Sequence, residues 1–329
     1  MACPGETDLT GRQPFKVLLY EPMDEAGTAL LASRAEVITP PSTDEEEILR
    51  CVDGVDAIVV RANGRVTARV MEAAPKLRVV ARHGVGVDNI DVEAATERGI
   101  WVVNTPLANC EAVAEHVVAM MLMLAKRMRS ADAEVRLGRW EARYTLIGVE
   151  LRDRALGVVG MGRIGSRVAE ICHRAFGMQI LYHDLVPREA AEAELGARRC
   201  DLPELFSLSD FVSLHVPRSP ETHHLVAARL LSAMKPTAYL INTSRGGVVD
   251  EEALVAALRE GRIAGAGLDV FENEFTADHL PIFDLENVVL TPHGAAHTQE
   301  ALVRMSLVAE DVLRVLDGEP PQNPVNQPR

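Results

Sequence analysis

Short apolar runs alternate with longer amphipathic stretches along most of the chain. The first run is Lys16–Tyr20. A helical stretch at Asp24–Arg34, a strand at Glu36–Thr39 and an acid-rich helix start at Thr43–Arg50 follow it. Asp56–Val60, Leu77–Ala81 and Ile100–Val103 read as buried strands, with helical stretches at Ala68–Ala74 and Val92–Arg98 between them. Glu111–Arg129 carries the longest helical signal, just after Pro106. Short β-branched runs separated by helices indicate parallel βαβ units with both faces of the sheet covered.

A second alternating block begins at Ala155. Its predicted strands are Leu156–Val159, Gln179–His183, Phe211–Val216, Ala238–Asn242, Ala266–Val270 and Val288–Thr291, with helices at Ile164–Phe176 and Glu251–Glu260 among those between them. A last helix over Gln299–Leu316 ends at Gly318, ahead of a Pro-rich extended tail, Pro320–Arg329. Two α/β blocks joined by a long helix predict two domains, with the final helix returning to the first.

The 329 residues suit two domains rather than one. Aromatics make up only 4%, so the core is built from Val, Leu, Ile, Ala and Met. Thirty-four Lys and Arg against 48 Asp and Glu leave a formal charge of −14. That balance, with no basic stripe, argues against nucleic acid and against an anionic membrane surface. The apolar run Val117–Ala125 falls far short of the roughly 20 residues of a spanning helix, and the polar stretch Met1–Lys16 has no signal-peptide core. Cysteines at 3, 51, 110, 172 and 200, with no CxxC pair, read as reduced thiols of a cytoplasmic protein.

Gly160-Met161-Gly162-Arg163-Ile164-Gly165 is a GxGxxG turn. An apolar strand runs into it, an amphipathic helix leaves it, and Asp184 closes the next strand 19 residues beyond Gly165, against an expected spacing of about 20. In such a turn the first glycine makes the bend and the second lets the backbone approach a pyrophosphate. The third lets helix and strand pack closely. The helix N-terminus receives the phosphate charge, and Asp184 suits a free ribose 2′-hydroxyl, which favours NAD over NADP.

Further candidates gather at later strand ends, the edge where open parallel sheets bind ligands. Arg245 stands on the Gly-rich loop after Ala238–Asn242 and has the fork that grips a carboxylate. Glu274 follows the strand ending at Val270, and His293 follows Val288–Thr291. Together they suit hydride transfer: His293 gives a proton to a carbonyl oxygen, Glu274 orients the imidazole and stabilises its charged form, and Arg245 fixes the substrate carboxylate. Other positions stay open. His83-Gly84-Val85-Gly86 is either an anion-binding nest or a plain turn, and Arg61 is either a cleft residue or a solvated one. The adjacent His223 and His224 read as surface. His293 and His297 lack a third ligand, so no metal is expected.

Five segments now resemble one family. They are HGVGVDNID at His83–Asp91, GMGRIG at Gly160–Gly165, NTSRGGVVD at Asn242–Asp250, LDVFENE at Leu268–Glu274 and LTPH at Leu290–His293. In this order, over about residues 16–317, they resemble the D-isomer-specific 2-hydroxyacid dehydrogenases, nearest to the 3-phosphoglycerate dehydrogenase and hydroxypyruvate/glyoxylate reductase branch. The resemblance implies a catalytic trio on Arg245, Glu274 and His293. It implies substrate contacts from the Val85 and Gly86 amides, with Asn109 at a cleft position; Arg61, from its place after Asp56–Val60, is carried as a further substrate candidate. It implies that Arg163 and Ile164 meet the pyrophosphate and that Asp269 touches the nicotinamide carboxamide, with Val216, Pro217 and Thr243 in the cofactor set. The implied fold is a Rossmann domain of doubly wound parallel sheet, 106–295, inserted into a discontinuous flavodoxin-like domain, 1–105 and 296–329, usually dimeric through the Rossmann domain.

Phe275 stands where the family usually has Pro, Gly-Ala-Ala-His follows His293, and His83 replaces a frequent small residue; these bear on the substrate rather than the chemistry. The chain is not expected to carry the C-terminal regulatory domain of long phosphoglycerate dehydrogenases. The expected function is NAD-dependent hydride transfer to or from C2 of a small D-2-hydroxyacid/2-oxoacid of glyoxylate, hydroxypyruvate or 3-phosphoglycerate type, by a cytoplasmic homodimer. The alternative is a corepressor-like protein of the same fold that senses NAD(H).

Overall fold

The computed structural model describes residues 14–274, 276 and 278–328. Cys3, most of the polar N-terminal stretch, Phe275 and Arg329 lie outside the described residues. The chain divides into two units, one running to Asn109 and resuming at His297, the other spanning Cys110–Ala296.

The first unit opens with β1 (Phe15–Leu19), α1 (Glu25–Ala32), β2 (Ala35–Ile38), α2 (Glu45–Cys51), β3 (Ala57–Val60), α3 (Ala68–Glu72), β4 (Val79–Arg82), α4 (Val92–Glu97) and β5 (Trp101–Val103). Its strands pair in parallel in the order β2-β1-β3-β4-β5. Strand side chains alternate between faces, so Leu18, Ile58, Val60, Val80 and Val102 pack on one side with residues of α2, α3 and α4. Val17, Leu19, Val59, Val79 and Ala81 fill the other. Asp24, Thr67 and Asp91 accept backbone N–H groups and so start α1, α3 and α4.

The second unit contains α5 (Cys110–Ala125), α6 (Met128–Arg136), a 3-10 turn at Trp140–Tyr144, β6 (Ala155–Val159), α7 (Arg163–Phe176), β7 (Gln179–His183), α8 (Glu189–Leu195), β8 (Arg198–Arg199), α9 (Leu202–Leu208), β9 (Phe211–Leu214), α10 (Ala228–Leu231), β10 (Tyr239–Asn242), α11 (Glu251–Arg259), β11 (Gly265–Leu268) and β12 (Val288–Leu290). Its parallel sheet has the order β12-β11-β10-β9-β6-β7-β8. The order reverses between β6 and β9, which creates the crevice where doubly wound sheets take dinucleotides. Residues from α5, α7 and α8 cover one face and residues from α9, α10 and α11 the other.

The helix expected over Glu111–Arg129 ends earlier. Val149 N–H donates to the Ala125 carbonyl at 2.8 Å, and Arg127 adopts a left-handed backbone (φ 53°) before α6 begins. β8, a two-residue edge strand, gave no sequence signal.

The returning segment completes the first unit with α12 (Gln299–Ser306) and α13 (Val308–Leu316), where one continuous helix was expected. The break falls at Leu307, beside the point where Gly27 of α1 lies so close to Ser306 that a Cβ would overlap its carbonyl. α13 then packs on the β1, β3 and β4 face. The tail lies along β5, with Val325 N–H donating to Val102 O at 2.7 Å.

Candidate active site

In the second unit the glycine turn leaves β6 as the motif requires. Gly160 has φ +91°, in the left-handed region, and a Cβ there would lie 2.7 Å from the His215 carbonyl. A Cβ on Gly165 would overlap the Gly160 carbonyl. Only glycine fits either position. A Cβ on Gly162 would meet nothing within 4 Å, and no side chain caps α7. The first amides of α7, from Arg163 and Ile164 onward, therefore face open space, as an anion site needs.

Asp184 directly follows β7 with its side chain 11% exposed. Its Oδ2 accepts from the Met161 amide at 2.9 Å, which ties it to the turn, and from Arg188 Nη2 at 3.0 Å and Nε at 3.2 Å. The Val186 amide reaches Oδ1 at 3.3 Å. Burial works against ionisation, but the Val186 amide, the Arg188 guanidinium and the Met161 amide outweigh it and hold the carboxyl below its usual range. The sequence reading took Asp184 without its arginine, although the four-residue spacing was there to see. Val216 and Pro217 follow β9. Thr243, just past β10, has a buried Oγ1 with no partner among the described residues. An unpartnered buried hydroxyl, an uncapped helix start and open space above Gly162 fit a bound dinucleotide.

Arg245 stands in the loop after β10. Asn242 shapes that loop, its Oδ1 accepting from the Ser244 amide at 3.0 Å and its Nδ2 donating to the Arg245 carbonyl at 3.0 Å. Arg245 Nη1 donates to the Ser244 carbonyl at 2.7 Å. Past β11 and β12 the other two members of the trio meet: His293 Nδ1 lies 2.8 Å from Glu274 Oε2. Glu274 Oε1 accepts from the Phe271 amide at 3.1 Å, so the carboxylate is held at both ends.

His293 has φ +52°, a left-handed backbone uncommon outside glycine. Asp269, 1% exposed, holds it there. The Asp269 carbonyl takes the His293 amide at 2.8 Å. Its Oδ1 takes the Gly294 amide at 2.8 Å and the Thr291 hydroxyl at 2.5 Å, and its Oδ2 takes the Ala295 amide at 2.9 Å. Thr291 gives its one hydrogen to Asp269, so it must accept from His116 Nε2, 3.0 Å away. The sequence reading missed His116, which stands on α5 with nothing local to mark it.

The first unit carries the remaining candidates. The turn at His83–Gly86 is wound so that every carbonyl is taken. Arg82 Nη1 donates to His83 O at 2.7 Å and Nε to Gly86 O at 2.6 Å. Asn104 Nδ2 donates to Val85 O at 2.7 Å, and Thr105 N–H to Gly84 O at 3.0 Å. Among the described residues of this unit, no acceptor takes the amides of Val85 or Gly86. That arrangement favours the nest over the plain turn. His83 is 4% exposed, and its Nε2 has no partner among the described residues. Arg61 donates through Nη1 to the Pro22 carbonyl. Asn109 has a buried Oδ1 with no partner among the described residues.

The family model for the NAD-binding domain of D-isomer-specific 2-hydroxyacid dehydrogenases matches residues 118–295. The chain is 48% identical over 292 residues to the glyoxylate reductase of Korarchaeum cryptofilum, covering 88% of this chain and 87% of that one. It is 44% identical to the D-3-phosphoglycerate dehydrogenase of Synechocystis sp., over 95% of this chain but only 56% of that longer protein. Among solved structures, an NADPH-dependent glyoxylate/hydroxypyruvate reductase from Sinorhizobium meliloti, in complex with NADP and malonate, superposes with a TM-score of 0.86 at 34% identity, over 96% of this chain and 98% of that one.

Proposed function

The chain belongs to the D-isomer-specific 2-hydroxyacid dehydrogenases, and from that membership we propose that it reduces a small 2-oxoacid of the glyoxylate or hydroxypyruvate type with NADH, and oxidises the D-2-hydroxyacid in reverse. It is an NAD-binding oxidoreductase; the acid, the residue roles and the preference for NAD are what we assign. The corepressor alternative has no observation in its favour, since the relatives above are named as enzymes.

The observation that carries the proposal is the 2.8 Å contact of Glu274 with His293 Nδ1. It commits Nδ1–H to the carboxylate and leaves Nε2 to hand a proton to the substrate oxygen. Bound NADH supplies the hydride. Arg245 holds the substrate carboxylate and polarises the carbonyl as charge builds on its oxygen. The free amides of Val85 and Gly86 suit a carboxylate as well. Asp269 keeps the His293 backbone in its strained conformation, so the imidazole keeps its aim.

We extend the proposal to a cytoplasmic homodimer. Met128, Val135, Leu137, Trp140, Tyr144 and Ile147, on α6 and just beyond it, are 47 to 69% exposed. An apolar patch of that kind marks an association surface, and Trp140→Glu should yield monomers in equilibrium sedimentation of a dimeric parent. Among the described residues no helix is long and apolar enough to cross a membrane.

NADH consumption measured against glyoxylate, hydroxypyruvate, 3-phosphohydroxypyruvate and pyruvate tests the substrate. His293→Ala should lower turnover in both directions about 100-fold or more while NADH binding persists. A variant that kept its rate would remove His293 from proton transfer.

A further inference from the structure

Behind the Arg245 and Glu274 loops, three segments distant in sequence are joined through one histidine. His224, expected to be a surface residue, is half-buried. Its Nε2 lies 2.6 Å from Glu272 Oε1. Its backbone is left-handed (φ 49°), and its amide donates to the Gly247 carbonyl at 2.8 Å. Glu272 is tied in turn to Glu251, the first residue of α11. The Glu272 amide donates to Glu251 Oε2 at 3.2 Å and the Glu251 amide to Glu272 Oε1 at 3.3 Å. Gly246 lies so close beneath that a Cβ would overlap the Phe271 carbonyl and sit 2.6 Å from the Glu272 nitrogen.

Two carboxylates that exchange amides in this way bring like charges together. Burial and the neighbouring Glu272 push the Glu251 carboxyl up. Among the described residues, the side chain that meets the pair with a donor is His224. His223, stacked on it at 4.0 Å, is turned instead to the Gly247 carbonyl, and Arg218 is the cation near Gly247 on the same loop.

We propose that His224 is a positioning residue: by holding Glu272 it fixes the Phe271–Glu274 segment on the Arg245 loop, and so sets Glu274 against His293 Nδ1. The chain of contacts is short. Glu272 is two residues from Glu274, and the Phe271 amide already holds Glu274 Oε1. The inference rests on the proposed roles of Glu274 and His293, and its test separates the two.

His224→Asn keeps a residue that tolerates the left-handed backbone but is too short to reach Glu272. In the purified full chain, kcat for NADH-dependent glyoxylate reduction should fall about 10-fold while KM for NADH stays within about 2-fold. His224→Gln, whose amide reaches about as far as Nε2, should recover most of the loss. In a Glu274→Gln background, His224→Asn should cost less than about 2-fold, because a residue that acts through Glu274 has nothing left to position. A purely structural role would cost the same factor in both backgrounds, and that result overturns the proposal, as does wild-type kcat in His224→Asn. Glu272→Ala removes the other partner without touching the His224 backbone and carries the same test should the His224 variants fail to fold. If Glu274→Gln alone leaves the rate unchanged, the site assignment falls and this inference with it. If Glu274→Gln is slow and His224→Asn is not, the inference falls alone.

Discussion

His83 should make the first unit sensitive to acid. Its imidazole is 4% exposed, with Nε2 unpartnered among the described residues. Burial first, and the Arg61 guanidinium next, push it down to about 3. Folded, the ring is neutral through the whole working range. Unfolded, it takes up a proton near about 6.5. The unfolded state therefore binds more protons below that value, and stability present above it is lost as pH falls through the window from about 6.5 to about 3. At about pH 5, some 1.5 units into the window, the loss is about 2 kcal/mol at roughly 1.4 kcal/mol per unit. That figure barely depends on how far below 5 the folded value lies. Urea unfolding at about pH 8 and pH 5, pulse-labelled for hydrogen exchange at one common pH and read in peptides spanning Ala57–Arg82, isolates this unit. Wild type should lose about 2 kcal/mol more than His83→Gln between the two conditions. Equal pH dependence in the two proteins would refute the buried neutral imidazole, whatever their absolute stabilities.

Arg245→Lys keeps the charge and loses the planar fork, so kcat/KM for the oxoacid should fall about 10-fold or more; unchanged kinetics would make Arg245 a structural residue. Asp184 should favour NADH over NADPH, and Asp184→Ala, which leaves the Arg188 guanidinium without its carboxylate, should shift the ratio of efficiencies toward NADPH by about 10-fold. Wild type using NADPH as well as NADH would contradict the assignment of Asp184. Asp269→Asn turns one acceptor oxygen into a donor facing loop donors, at a cost of about 1–3 kcal/mol and a fall in kcat as His293 loses its hold; an unchanged melting temperature and rate would contradict the anchoring role.

What could be read from the sequence was whatever is written locally. The glycine turn, its strand and helix and Asp184 sit within 30 consecutive residues, Ala155 to Asp184, and Gly160 and Gly165 are each required by a close backbone contact. Arg245, Glu274 and His293 each follow a strand, and the parallel sheet brings strand ends to one edge without further information. The rest depends on contacts that local pattern does not encode. His116 and Thr291 are 175 positions apart, and the left-handed backbone of His293 exists because Asp269 grips four neighbouring residues. His224 looked like surface because its partner Glu272 stands across a different loop. The break after Ala125 follows from a carbonyl captured by Val149, and the break at Leu307 lies beside the close approach of Gly27 to Ser306. Amphipathic periodicity continued through both.

The His83–Gly86 turn has a consequence for how such a protein can diverge. In the role proposed for it, its donors to an anion are main-chain amides, and its carbonyls are all spoken for by Arg82, Asn104 and Thr105. No codon change at Val85 or Gly86 deletes an N–H group except one to proline. Side chains around the turn could therefore drift through generations of mutation, altering the size and polarity of the acid accommodated, while the proposed capacity to hold a negative charge would be inherited unchanged. On that proposal, affinity for an anion and choice among anions would be, at this turn, separately heritable traits.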